Sequence, residues 1–171
     1  EYLRRVFFLD CYARAPSPHG KALGGEDVLA GIGMEAEYLY EHIADWAWET
    51  LGLHVGKVTG HSHGNHSTVP GLRRDIPSIL AAFSPIAKER SGGEMPEIDI
   101  LIATDCISEG QNLQDCGYVL NYDLHWNPTK MVQRAGRCDR LGSRHDELFI
   151  YNMFPDEGLE KLLGLVESLN Q

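Results

Sequence analysis

Apolar positions along the chain follow two rhythms, a continuous one and one of three and four. Arg4–Asp10 carries Val6-Phe7-Phe8-Leu9 and reads as a buried strand ending in a polar residue. Residues 11–33 hold Pro16, Pro18 and a run of glycines, so a loop insertion is expected there, with at most a helical turn at Glu26–Ala30. Met34, Leu39, Ile43, Trp46 and Ala47 fall three and four apart, which predicts a helix over Met34–Thr50 closed by Gly52. His54–Thr59 is a short strand stopped by Gly60, and residues 61–71 are polar loop. Ile76, Ile79, Leu80 and Phe83 give Arg73–Phe83 a helical face, with Pro77 tolerated in the first turn.

The later half is more sharply patterned. Ile98–Ala103 and Tyr118–Tyr122 are near-continuous apolar runs of the kind found in central parallel strands. Leu148–Asn152 reads as a third buried strand. Asn127-Pro128 is a helix start, with Asn as cap and Pro at the first helical position. That helix is expected to run to about Leu141, before Gly142. Asp156 caps a final helix with Leu159, Leu162, Leu163 and Val166 on one face. Strands alternating with helices predict an α/β fold with a parallel sheet.

Composition narrows the class. The 171 residues are 43% hydrophobic and 23% charged, which is globular. The net charge of -10 argues against a general polyanion binder, without excluding a local basic strip. Such a strip exists: Lys130, Arg134, Arg137, Arg140 and Arg144, against Asp139 alone, make a local +4. No apolar run is long enough to span a bilayer. Cys11, Cys106, Cys116 and Cys138 form no C-x-x-C pair, so a reducing cytoplasmic compartment is expected. The chain starts at Glu1 without an initiator Met, and a segment of a larger protein is the expectation.

In parallel sheets, ligands gather beyond the carboxyl ends of the strands. Two segments stand out. In Ala103–Leu113, small and polar residues follow directly on a buried strand. Thr104, Ser108 and the Gly110 amide suit phosphate oxygens. In Gln133–Ser143, a helix would set Gln133, Arg137 and Arg140 on one face, with Gly136 leaving room for a close approach. Two guanidiniums on one face repel unless an anion lies between them, and their forks match phosphate. The bland alternative is a solvated cationic face.

Taken together, the segments resemble motifs V and VI of the superfamily-two helicases and translocases. The wording "SEGQNLQ" and "NYDLHWNPTKMVQRAGRCDRLGS" is most similar to the Swi/Snf-like branch, and within it to bacterial members of the RNA-polymerase-recycling ATPase type. The resemblance is specific over residues 98–155 and extends more weakly to Glu37–His42, the strand ending Val58-Thr59-Gly60 and Ile76–Phe83, leaving out residues 10–33. It implies a RecA-like parallel sheet with helices on both faces, the second lobe of a two-lobed motor, over residues 1–171. It implies that Arg137 and Arg140 are arginine fingers meeting the γ-phosphate of ATP. Gly110, Asn112 and Gln133 would lie near the nucleotide. Thr59, Gly60, Thr104 and Ser108 would touch the nucleic-acid backbone. ATP and Mg²⁺ would be held mainly by an N-terminal RecA-like lobe, since this sequence has no G-x-x-x-x-G-K-[ST] and no D-E-x-H. The expected activity is ATP-dependent movement on double-stranded DNA in the bacterial cytosol or nucleoid.

Three other readings compete. An RNA helicase lobe needs strand-opening elements outside this chain. A non-catalytic binding lobe fits poorly with intact Arg137 and Arg140. A metal-dependent hydrolase would use His61, His63 and His66, yet no Asp or Cys completes a familiar ligand spacing, and no metal site is expected. Trp46 is expected in the core, and Trp126 in packing that positions the motif VI helix. Cys106 and Cys138 read as small buried side chains.

Overall fold

The computed structural model describes residues 4–9, 25–60, 64–89, 96–104, 107, 111–122, 127–143 and 145–153. Six strands form one sheet: β1 (Arg4–Leu9), β2 (Val55–Val58), β3 (His66–Ser67), β4 (Ile100–Thr104), β5 (Cys116–Asn121) and β6 (Phe149–Asn152). Their order across the sheet is β3-β2-β4-β1-β5-β6. All pairings are parallel except the two-residue β2–β3 pair. The α-helices among the described residues are α1 (Gly25–Trp46), α2 (Ile76–Phe83) and α3 (Pro128–Cys138).

Strand β4 shows how the layers arise. All five of its residues are buried, so alternation is invisible in the sequence. Period two nevertheless sends Ile100 and Ile102 to one face, against Ala36, Tyr40, Ala44 and Ala47 of the α1 side. Leu101 and Ala103 go to the other face, against Ile79, Leu80 and Phe83 of α2, with Cys138 of α3 in the same cluster. The result is the expected parallel sheet with helices on both faces.

Local chemistry sets several boundaries. Asp75 caps α2, accepting the Ser78 amide at 2.8 Å, with Pro77 in the first turn. Asn127 caps α3, accepting the Thr129 amide at 3.0 Å, with Pro128 opening the helix. After Trp46 the chain widens into a π-helical turn, Ala47–Leu51. Gly52 ends it at φ 66°, a left-handed conformation that favours glycine.

The sequence reading needs four corrections here. α1 begins at Gly25, well before Met34, so the loop expected over 11–33 is replaced by helix from Gly25 on; residues 10–24 lie outside the described residues. Trp46 is 55% exposed, not core. The sheet-facing stripe is Ala36, Tyr40, Ala44 and Ala47, in which three alanines let the helix approach the strands beside the buried Tyr40 ring, with Leu39 and Ile43 half-buried at its margin. β6 is exposed along its length because it is an edge strand with one neighbour. α3 stops at Cys138, short of Leu141. The final helix expected from Asp156 and the position of Trp126 lie outside the described residues. Among the described residues, no helix is long and apolar enough to cross a membrane.

Candidate nucleotide and nucleic-acid site

Helix α3 follows β5 and runs back along it, so its last turn lies beside the start of β5. The Leu113 amide donates to the Arg137 carbonyl at 3.0 Å. The thiols of Cys116 and Cys138 are hydrogen-bonded, and that bond, then burial, pushes the Cys138 thiol well above its ordinary pKa. Arg137 and Arg140 are therefore at the amino end of β5, not beyond the carboxyl ends of the strands as the sequence reading placed them. The reversal inherent in a strand-to-helix unit is the reason.

Three segments converge around that end. In residues 111–115, Asn112 Nδ2 donates to Gln114 Oε1 at 3.1 Å, and Asn112 Oδ1 accepts the Gln114 amide at 3.2 Å. In the turn after α3, Ser143 Oγ donates to the Gln114 carbonyl at 3.1 Å. His145 Nε2 lies 3.1 Å from the Asp115 carbonyl, which can only accept, so this nitrogen carries the proton. In the turn after α2, Lys88 Nζ donates to Gln111 Oε1 at 2.8 Å, and the Ile86 amide donates to Asp115 Oδ2 at 2.8 Å.

The cationic groups differ in setting. Arg137 is 6% exposed and Arg134 is 1% exposed, so these two members of the basic strip lie within the fold. Gln133 is exposed. Arg140 is exposed and beyond the helix, in a turn whose Nε donates back to the Gly136 carbonyl at 3.3 Å. It therefore does not share a helical face with Gln133 and Arg137; Asp139 has left helical geometry at ψ 88°. A Cβ on Gly136 would meet no atom within 4 Å, so the space beside Arg137 and Arg140 is open. Burial, and then the charge of Arg140, lowers the Lys88 pKa. Lys88 thus feels the charge of Arg140, and an anion placed near both would be attracted by each.

A second group sits at the carboxyl ends of β2 and β4. β2 and β4 pair with Val58 opposite Ala103, so the next residues, Thr59 and Thr104, are neighbours at the carboxyl ends. Both are 2% exposed. The Thr59 amide donates to the buried Asn65 Oδ1 at 2.9 Å, which aims the exposed Gly60 outward. Ser108 and Gly110 lie outside the described residues. The structure thus brings Asn112, Arg137 and Arg140 into one region and Thr59, Gly60 and Thr104 into another.

Sequence reasoning missed two residues that organise these regions. Arg134 Nη1 donates to Asn121 Oδ1 at 3.3 Å, and Asn121 Nδ2 donates to Asn152 Oδ1 at 2.8 Å, tying α3 to the carboxyl ends of β5 and β6. Lys88 lies between the predicted helix ending at Phe83 and the strand starting at Ile98, where no apolar periodicity singles it out. A third missed group lies elsewhere: Lys57, 1% exposed, pairs with Glu37 under the Tyr40 ring. His61 and His63 lie outside the described residues. Among the described residues, no three His, Cys, Asp or Glu side chains group to hold a metal.

Comparison with known proteins is consistent with this geometry. Residues 86–142 match the family model of the helicase conserved C-terminal domain, which covers all three converging segments up to Gly142. An uncharacterized ATP-dependent helicase of Bacillus subtilis (strain 168), YqhH, is 48% identical over 65 residues, 38% of this chain. The match spans only 12% of that relative's length. Among solved structures, the C-terminal part of the Fun30 ATPase domain is similar with a TM-score of 0.52 at 17% identity, covering 99% of this chain and 39% of that one. Saccharomyces cerevisiae Dbp5 bound to RNA and ADP BeF3 is similar with a TM-score of 0.50 at 17% identity, covering 98% of this chain and 32% of that one. At such identities the two structures speak for the fold alone.

Proposed function

We propose that this chain is the C-terminal, RecA-like lobe of a superfamily-two helicase and works as one half of an ATP-driven motor on double-stranded DNA; the helicase C-terminal family match over residues 86–142 and the similarity to a bacterial ATP-dependent helicase support this reading. The lobe spans residues 1–171. It is inactive alone and completes an ATP site whose nucleotide and Mg²⁺ are held mainly by an N-terminal lobe. Arg137 and Arg140 act as arginine fingers: charge develops on the γ-phosphate in the transition state, and a positioned guanidinium stabilises it. Asn112 and Gln133, with Gly110, line the nucleotide side. Gly60 and Ser108, with Thr59 and Thr104 shaping the edge beneath them, contact the DNA backbone.

The observation that carries this reading is the 3.0 Å bond from the Leu113 amide to the Arg137 carbonyl. It couples the polar segment 111–115 directly to the turn that bears the guanidinium. A shift of one segment on nucleic acid is then transmitted to the finger without an intervening loop.

The experiment is ATP hydrolysis by the parent-length protein with no nucleic acid, duplex DNA, single-stranded DNA or RNA. Strong stimulation by duplex DNA is expected. Stimulation by RNA alone would replace the DNA motor with an RNA helicase. Absence of hydrolysis under every condition would leave a binding lobe in its place.

A further inference from the structure

The outward face of α1 carries what the motor does not use. Tyr38, His42 and Trp46 succeed one another at intervals of four, so they form one stripe along the helix. The Tyr38 and His42 rings are in contact, with centroids 4.0 Å apart, and His42 Nδ1 lies 2.8 Å from the Tyr38 carbonyl. Tyr38 is 63% exposed and Trp46 55%. The stripe continues into the π-helical turn, where Trp48 (51%) and Leu51 (48%) are also exposed, and Trp48 stacks on His54 at 4.6 Å. Large aromatics at these exposures, in series on one helix, form an apolar patch of the kind that marks an interaction surface.

Its electrostatics are one-sided. Glu41, Asp45 and Glu49 flank the rings and are exposed. No Lys or Arg occurs between Ala22 and Gly56. The face therefore repels nucleic-acid phosphate and attracts cations. The arginines of α3 lie on the opposite side of the sheet from α1, and on the α1 side Lys57 and Arg74 act on the sheet-facing Tyr40 rather than on the outward stripe.

We propose that the α1 face from Tyr38 to Glu49 docks a lysine- and arginine-rich segment of a partner protein. Indole and phenol rings attract a guanidinium or ammonium over their faces, and flanking carboxylates hold the same charges. The alternation of ring and carboxylate fits a segment that alternates cationic and aliphatic side chains.

The test is fluorescence anisotropy of a short labelled peptide of alternating arginine and leucine, titrated with the intact chain. The control is the same peptide with glutamate for arginine. Trp46→Ala removes a ring and leaves the charge unchanged; at 55% exposure it leaves the core intact. It is expected to weaken binding about three-fold or more. The combined change Glu41→Gln, Asp45→Asn, Glu49→Gln is expected to weaken binding and flatten its salt dependence. Tyr151→Ala, an exposed ring on β6, is expected to leave binding unchanged. Equal binding of both peptides would overturn the proposal. So would full binding by Trp46→Ala, which would reduce the contact to unspecific charge, or loss of binding in Tyr151→Ala, which would move it to another face.

Discussion

Arg134 and Arg137 are three residues apart on α3 and both are buried, yet they face different tasks. Arg134 holds Asn121 at the carboxyl end of β5, and Asn121 holds Asn152 on β6. A charged donor buried in such a chain contributes on the order of 1.5–3 kcal/mol, so Arg134→Ala should lower unfolding free energy by about that much in urea. No change in the urea midpoint would show the bond to be incidental. Gly136, between them, faces open space. Gly136→Ala should therefore raise stability by about 0.5–1 kcal/mol through helix propensity. It should lower ATP turnover in the parent protein if another lobe closes on that space; unchanged turnover would argue against a close approach. The residue types of this site were legible in the sequence, because Gln, Gly and Arg at fixed spacing are a local signal. The burial of Arg134 and Arg137 was not, because it depends on strands distant in the chain. Lys88 was invisible for the same reason: its partner Gln111 is 23 positions away.

Elements show the same division between local and distant causes. The starts of α2 and α3 were readable, since Asp75 and Asn127 cap them with their own side chains. β4 and β5 were readable as apolar runs. On α1 the expected face held for Leu39, Ile43 and Ala47 but not for Trp46, because three alanines and Tyr40 centre the contact with the sheet. The end of α3 was misplaced because Asp139 turns away where tertiary bonds to residues 113–115 begin. Two tests belong at this scale. A Cβ on Gly56 would lie 2.9 Å from Ile98 Cδ1 and 3.1 Å from Ile79 Cγ2. Gly56→Ala should cost about 1–3 kcal/mol by forcing α2 off β2; a neutral result would mean that the helix shifts freely. On β3, His66 is held below its ordinary pKa of 6.5 by burial, then by Arg74 and Lys57, with Glu37 opposing. The folded state thus favours the neutral ring. That stability is present above about pH 6.5 and is lost as pH falls below it through the lowered value. Thermal melts from pH 7 to pH 5 should fall more steeply for the native chain than for His66→Gln, and parallel slopes would contradict the assignment.

At the scale of the whole molecule, the sheet separates two surfaces of opposite character. α1 lies on one face with its carboxylates and aromatic rings; α3 lies on the other with its arginines. An overall charge of -10 hides this division. It permits a phosphate-binding site on an acidic protein, because attraction at short range is set by the groups nearby rather than by the sum. The measurement that bears most directly on the proposed motor role is ATP turnover of the parent protein with Arg137→Ala and Arg137→Lys, at saturating duplex DNA. Thermal melts and DNA binding of each variant serve as controls for folding. A finger acting on the transition state predicts a fall in turnover of about a thousand-fold or more for alanine, with only partial recovery by lysine, and DNA binding retained. Turnover within a few-fold of the native protein in a folded, DNA-binding Arg137→Ala variant would contradict it.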